Sequence, residues 1–165
     1  MIALKALLVA TDFSAPSDVA LAYGRELARS FGAKLVVLHV VENIMTRAFG
    51  PDGYAITNPD LQRDLEASAD KQVNALLSQE DRQALRAEAV ILSSNTPALA
   101  VADYARTAGI DLIVMGTHGR GAVAHLLMGS VAERVVRTAP CPVLTVRHPE
   151  HEFVLPDALV AVAKD

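Results

Sequence analysis

The chain has 165 residues, enough for one domain with a substantial core and too few for two. Apolar residues make up 52% and charged residues 21%, with 4% aromatic and no Trp, a balance that excludes a disordered chain. A formal net charge of −4 advertises no broad basic face for nucleic acid, so any anion site has to be local.

Cys141 is the only cysteine, which excludes an internal disulfide and fits a reducing compartment. Between Pro140 and Pro142 it reads as a small semi-buried residue, with a reactive thiol as the alternative. No apolar run approaches the ~18 residues of a membrane span. The N-terminal run Ala6-Leu7-Leu8-Val9-Ala10 lacks a basic leader and reads as a buried strand rather than a signal peptide, so a cytoplasmic protein is expected.

In chain order, residues 4–10 form a first strand, apolar almost throughout as a doubly covered strand should be. Its tip is Thr11-Asp12-Phe13-Ser14. Ser14 or Ser17 caps the next helix, Pro16 sits in its first turn, Val19, Ala20, Tyr23, Leu27 and Phe31 give an apolar stripe, and Gly32 ends it. Lys34 to Val41 is a second continuous apolar strand, interrupted only by His39. Residues 42–58 are irregular, with turn chemistry at Gly50-Pro51-Asp52-Gly53, and a loop of that length in a compact domain is often functional or mobile.

Asn58 caps and Pro59 opens a long helix with Leu61, Leu65, Val73 and Leu76 on one face. A weaker strand follows at Arg86 to Leu92. Ser93 to Pro97 then starts a helix carrying Leu99, Val101, Tyr104 and Ala105, closed by Gly109. The fourth strand is Leu112-Ile113-Val114-Met115. It runs into Gly116, Gly119 and Gly121, and then to Gly129-Ser130 and a helix with Val131, Val135 and Val136 at helical spacing. Val143 to Val146 is the last strand.

Strands alternating with helices at roughly 30-residue intervals require a parallel sheet with right-handed crossovers. One five-stranded α/β domain of order 3-2-1-4-5 is expected, with helices on both faces. In that order strands one and four meet where the chain departs in opposite directions, and ligands bind outside the carboxyl ends of strands at such a crevice.

A strand that passes through glycines into a helix start suits phosphate, because glycine lets backbone N–H groups approach an anion and the first helical turn leaves donors unpaired. Ser130 adds a hydroxyl there. Ser130-x-x-Glu133 is equally a capping box that would satisfy those donors internally. Asp12 has two readings as well, cap of the first helix or ligand group.

Gly116-x-x-Gly119, nine residues, then Gly129-Ser130 matches the G-x2-G-x9-G-[ST] pattern, and the chain resembles the ATP-binding branch of the universal stress proteins. The words GTHGRG, LLMGSVAERVVR, APCPVLTVR, LLVATDFS and HVVE carry the same resemblance across about residues 3–147. It implies a Rossmann-like domain of the adenine nucleotide alpha hydrolase type over 1–147, with 148–165 as a C-terminal extension.

The resemblance further implies a site built from Ala10, Thr11, Asp12, Val40, Val41, Met115, Gly116, His118, Gly119, Arg120, Gly129, Ser130 and Val131. Backbone groups of Val40 and Val41 would meet the adenine edge. Asp12 would reach base or ribose, Gly116 would lie under the ribose, and amides of 118–120 and 129–131 would wrap the phosphates. ATP is the implied ligand, with ADP or AMP as alternatives and Mg²⁺ carried by phosphate and water. The resemblance also implies a homodimer through antiparallel pairing of the 143–146 strands, whose apolar edge invites it.

Other chemistries fit less well. No Gly-Lys pair exists for a Walker A loop. Gly119-x-Gly121-x-x-Ala124 fits a loose dinucleotide fingerprint but follows the fourth strand and lacks its acidic partner. A phosphoacceptor receiver would want paired acids after strand one, where Phe13 follows Asp12. His118 points to solvent or touches phosphate, and His125 is structural. His148, Glu150, His151 and Glu152 form a polar linker rather than a metal site. With no nucleophile–base or paired-carboxylate arrangement, a nucleotide-dependent switch or sensor is favoured. A slow ATPase and a dimeric module without nucleotide are the alternatives.

Overall fold

The computed structural model describes residues 1–46, 59–117 and 128–147. The elements are β1 (Ala6–Ala10), α1 (Ala15–Phe31), β2 (Lys34–Val41), a 3₁₀ turn (Ile44–Thr46), α2 (Pro59–Leu76), α3 (Gln79–Ala84), β3 (Glu88–Ser93), α4 (Pro97–Thr107), β4 (Leu112–Gly116), α5 (Ser130–Thr138) and β5 (Val143–Val146). The five strands pair in parallel in the order β3-β2-β1-β4-β5, as expected.

Apolar character on both faces is what lets each strand bury completely. Val9, Leu35, Val37 and Val114 pack under α1 and α2, and Leu8, Val36, Leu38, Ile113 and Met115 pack under α4 and α5. Gly24 on α1 brings that helix close to the sheet, since a Cβ there would stand 2.3 Å from Val9 Cγ2.

The helix ends follow their chemistry. Ser14 is the N-cap of α1, and its N–H donates to Ser17 Oγ at 3.0 Å, so the two serines share the work that either was expected to do. Gly32 ends the helix at φ 62°, and Gly109, at φ 65°, follows α4. Pro59 and Pro97 each open a helix.

Several faces differ from the periodicity. In α2 the inward residues are Gln62, Ala69 and Val73, while Leu61 and Leu65 are 47% and 39% exposed. Gln62 turns in because both ends of its carboxamide find partners: Oε1 accepts the Ile44 N–H at 2.9 Å and Nε2 donates to Glu66 at 2.8 Å. In α5, Val135 is buried with Ala132, and Val131 and Val136 flank that contact at 40% and 47% exposure. Phe31 lies on the last turn of α1 and is 41% exposed.

A short helix, α3, unanticipated from the sequence, precedes β3, which begins at Glu88 rather than Arg86 because Arg86 takes a left-handed turn at φ 50°. Asn58, the 47–58 segment, the 118–127 segment with His125, and the tail 148–165 lie outside the described residues.

Candidate functional site

The carboxyl ends of β2, β1 and β4 meet where the strand order reverses, and most of the described candidate residues gather there. Ala10 closes β1 and pairs with both Leu38 and Met115. The next residue, Thr11, is 6% exposed and has every polar atom engaged. Its N–H donates to the Leu38 carbonyl, its Oγ1 meets Ser17 Oγ at 3.0 Å and accepts the Phe13 N–H, and its carbonyl accepts from His39 Nδ1 at 2.8 Å.

Asp12 follows, half-buried, with Oδ1 accepting from the Ser14 N–H at 3.2 Å and from Ser14 Oγ–H at 2.5 Å. This is an Asx turn that shapes the loop before α1. Phe13 then adopts φ 63°, a conformation that costs a bulky residue about 1–3 kcal/mol and marks functional turns. Its ring lies 4.4 Å from that of His39, tilted by 40°.

Val40 and Val41 differ in aspect. Val41 is buried and its carbonyl accepts the Ser94 N–H at 2.9 Å, on the side of β3. Alternation along a strand therefore turns the Val40 backbone toward β1, past the point where β1 ends. Of the two, Val40 is the one whose backbone faces the crevice.

On the other side, Met115 and Gly116 are buried at the end of β4, and Thr117 continues them at 5% exposure. The Thr117 N–H donates to Val146, and its carbonyl accepts the Gly129 N–H at 2.7 Å. That bond ties the tip of β4 directly to the start of α5. Gly129 is the N-cap of α5, and among the described residues no side-chain hydrogen bond caps the helix. Ser130 is thus the first helical residue rather than the cap, so of its two readings the capping box is not the one that forms. Glu133 instead binds Arg137 at 2.8 Å. Ser130 and Val131 are exposed on this first turn. His118, Gly119 and Arg120 lie outside the described residues.

Two residues the sequence did not single out belong to this arrangement. Thr117 locks α5 to β4, and His39 joins the tips of β1 and β2. His39 had a signal, as the one polar residue within an apolar strand. Thr117 had none beyond following the strand.

A second polar groove, of about 460 Å³, lies at the β3 edge between Arg63, Glu66, Ala67, Asp70, Ile91 and Ser93. Hydrogen bonds from Ser93 and then Gln62 hold the Glu66 carboxyl below its usual range. Among the described residues no three His, Cys, Asp or Glu side chains form a metal cluster, and no helix is long and apolar enough to cross a membrane. Burial, and then the Asp111 carboxylate, push the Cys141 thiol up, which favours the quiet structural role over a reactive thiolate.

Residues 3–147 match the model of the universal stress protein family. A universal stress protein of Thermus aquaticus is 36% identical over 145 residues, covering 87% of this chain and 98% of the relative. The universal stress protein UspA from Lactobacillus plantarum superposes with a TM-score of 0.70 at 26% identity, over 89% of this chain and 100% of that one. A universal stress protein from Archaeoglobus fulgidus, solved in complex with dAMP, superposes with a TM-score of 0.57 at 22% identity, over 88% of this chain and 99% of that one. That last likeness is one of fold. With a family model spanning every strand, and a relative matched over nearly its whole length, the chain belongs to the universal stress protein family.

Proposed function

We propose that the chain binds an adenine nucleotide, ATP foremost, in the crevice between the tips of β1 and β4, and serves as a nucleotide-dependent switch or sensor. The observation that carries this reading is the start of α5. Its first turn has a glycine cap, no side-chain cap among the described residues and a direct tie to β4, so its N–H donors stand at the switch point with no side chain from the cap closing them. The helix dipole adds about 0.3–1 kcal/mol for an anion there.

The residues present fit such a ligand. Asp12 and the Val40 backbone border the side where a base or ribose would lie, and Gly116, Gly129 and Ser130 border the phosphate side. The resemblance adds His118, Gly119 and Arg120 as proposed phosphate ligands. A triphosphate would bring Mg²⁺ held by its own oxygens and by water. The dAMP reported for the Archaeoglobus fulgidus protein is consistent with adenine-type ligands on this fold. Residues 1–147 form the proposed binding domain and 148–165 an extension to it.

Calorimetric titration with ATP tests the site. The native chain is expected to bind, and the Gly129→Val, Ser130→Ala double variant to bind at least about tenfold more weakly, the loss of one charge-assisted hydrogen bond. Equal binding by both would end the assignment. A single-turnover assay separates a switch from a slow ATPase, since product formed within minutes would favour the enzyme. A second reading, compatible with the first, is a homodimer through β5. That strand is the sheet edge, and its Val143 and Leu144 are only half-buried.

A further inference from the structure

The ladder between β1 and β2 stops one rung short of where the strands would allow. In a parallel pair, successive residues turn their N–H and C=O alternately to one neighbour and the other. The Thr11 N–H donates to the Leu38 carbonyl, so Val40, two residues on, faces the β1 side as well. The next rung would run from the Val40 N–H to the Thr11 carbonyl. That rung is not made. The Thr11 carbonyl accepts instead from His39 Nδ1 at 2.8 Å. A carbonyl can only accept, so the imidazole must carry a proton on Nδ1.

The same ring has a second task. It lies 4.4 Å from the ring of Phe13, whose backbone is held at φ 63° with its N–H on Thr11 Oγ1. The left-handed turn carries the chain out of the sheet immediately after Thr11, so β1 diverges where β2 continues. One imidazole therefore both binds the carbonyl to which the Val40 amide would donate, holding it toward the ring, and supports the turn that opens the gap.

We propose that His39 is a positioning residue for the nucleotide site: by taking the Thr11 carbonyl it leaves the N–H and C=O of Val40 turned into the crevice as a donor–acceptor pair for the edge of a base. This rests on the nucleotide reading above and adds its specificity. Adenine sets an acceptor, N1, beside a donor, the 6-amino group, and a backbone N–H and C=O answer that pair. Hypoxanthine carries the reverse, a protonated N1 beside a 6-oxo acceptor, and sets donor against donor and acceptor against acceptor. A buried polar mismatch of this kind discriminates far more strongly than lost contact area.

The test uses the full chain with His39→Leu, which removes the donor, and His39→Asn, whose Nδ2 occupies the place of Nδ1. Two quantities are read: exchange of the Val40 amide by NMR without ligand, and the ratio of affinities for ATP and ITP. In the native chain the Val40 amide exchanges as an open amide, and ATP is preferred by about tenfold or more, one hydrogen-bond mismatch. In His39→Leu the missing rung closes, the Val40 amide slows at least about tenfold, and the ATP-to-ITP ratio falls toward one. His39→Asn keeps both near native values. Should His39→Leu fail to fold, His39→Val, equally without a donor, carries the same expectation. Unchanged exchange with an unchanged ratio overturns the proposal. So does an equal loss of both nucleotides, the mark of a merely structural role. A native chain that binds neither nucleotide defeats the functional reading instead, and the exchange measurement then decides by itself whether His39 holds the rung open.

Discussion

Gly24 shows how little room one methyl group has in this sheet. A Cβ at that position would meet Val9 Cγ2 at 2.3 Å, and Leu35 Cδ1 at 3.6 Å. Val9 is fully buried on the central strand and its β-branched side chain has few rotamers to retreat to. Alanine would gain about 0.5–1 kcal/mol of helix propensity over glycine, against about 1–3 kcal/mol for overpacking. Overpacking wins. Gly24→Ala is expected to lower stability in urea by about 1–2 kcal/mol, and Val9→Ala in the same chain to recover part of it. A more stable Gly24→Ala chain would mean that the helix can lift off β1 without penalty. At the same scale, Thr11, Asp12, Gly116 and Gly129 were legible as candidate site residues because strand tips and glycines identify themselves. His39 showed only as a polar residue in an apolar strand, since its partner is a carbonyl on another strand and sequence spacing does not report that distance.

At the scale of elements, the α2–α3 corner is clamped to α1 by a single buried carboxylate. Asp81, its side chain 3% exposed, accepts from Arg25 Nε and Nη2 and from the Ser78 N–H, and Arg25 Nη2 also donates to the Leu76 carbonyl at 2.6 Å. Burial alone would raise the carboxyl, but the Arg25 and Ser78 hydrogen bonds and the Arg25 charge outweigh it and hold it below its ordinary value. A carboxyl lowered on folding adds stability that is fully present well above the unfolded value of about 3.9, and is lost as pH falls through that value toward the folded one. Asp81→Asn is expected to cost about 2 kcal/mol by urea unfolding at pH 7, less than a fully buried pair because Arg25 keeps 26% exposure. It should also flatten the dependence of stability on pH below about 5. An unaltered acid limb would show that other carboxylates carry it. The existence of α1, α2 and α5 was readable from period and punctuation, but that of α3 was not, nor was the rotation of α2 and α5. In α2 the polar Gln62 displaces Leu61 and Leu65 from the buried face because the Ile44 N–H needs an acceptor there. In α5 the tie from Gly129 to Thr117 moves the cap back by one residue and leaves Val131 and Val136 at the margins. Both displacements arise from tertiary hydrogen bonds that hydrophobic spacing does not encode.

The strand order was the most legible feature of the whole molecule, since alternating strands and helices with right-handed crossovers leave few arrangements. That order also leaves β5 at one edge, with one row of peptide groups facing outward. The Ile113 N–H donates to the Pro142 carbonyl and the Thr117 N–H to the Val146 carbonyl, so the even residues of this strand face β4 and Val143 and Thr145 face away from it. The proposed dimer would use those outward groups across a two-fold axis. Thr145→Pro removes one outward N–H and leaves every bond to β4 in place, and proline is tolerated on an edge strand in that setting. Sedimentation at tens of micromolar is expected to give a dimer for the native chain and a monomer of unchanged helical content for Thr145→Pro. A monomeric native chain would remove the edge from consideration as an interface. A variant that stays dimeric would move the contact elsewhere on the surface, away from the backbone of β5.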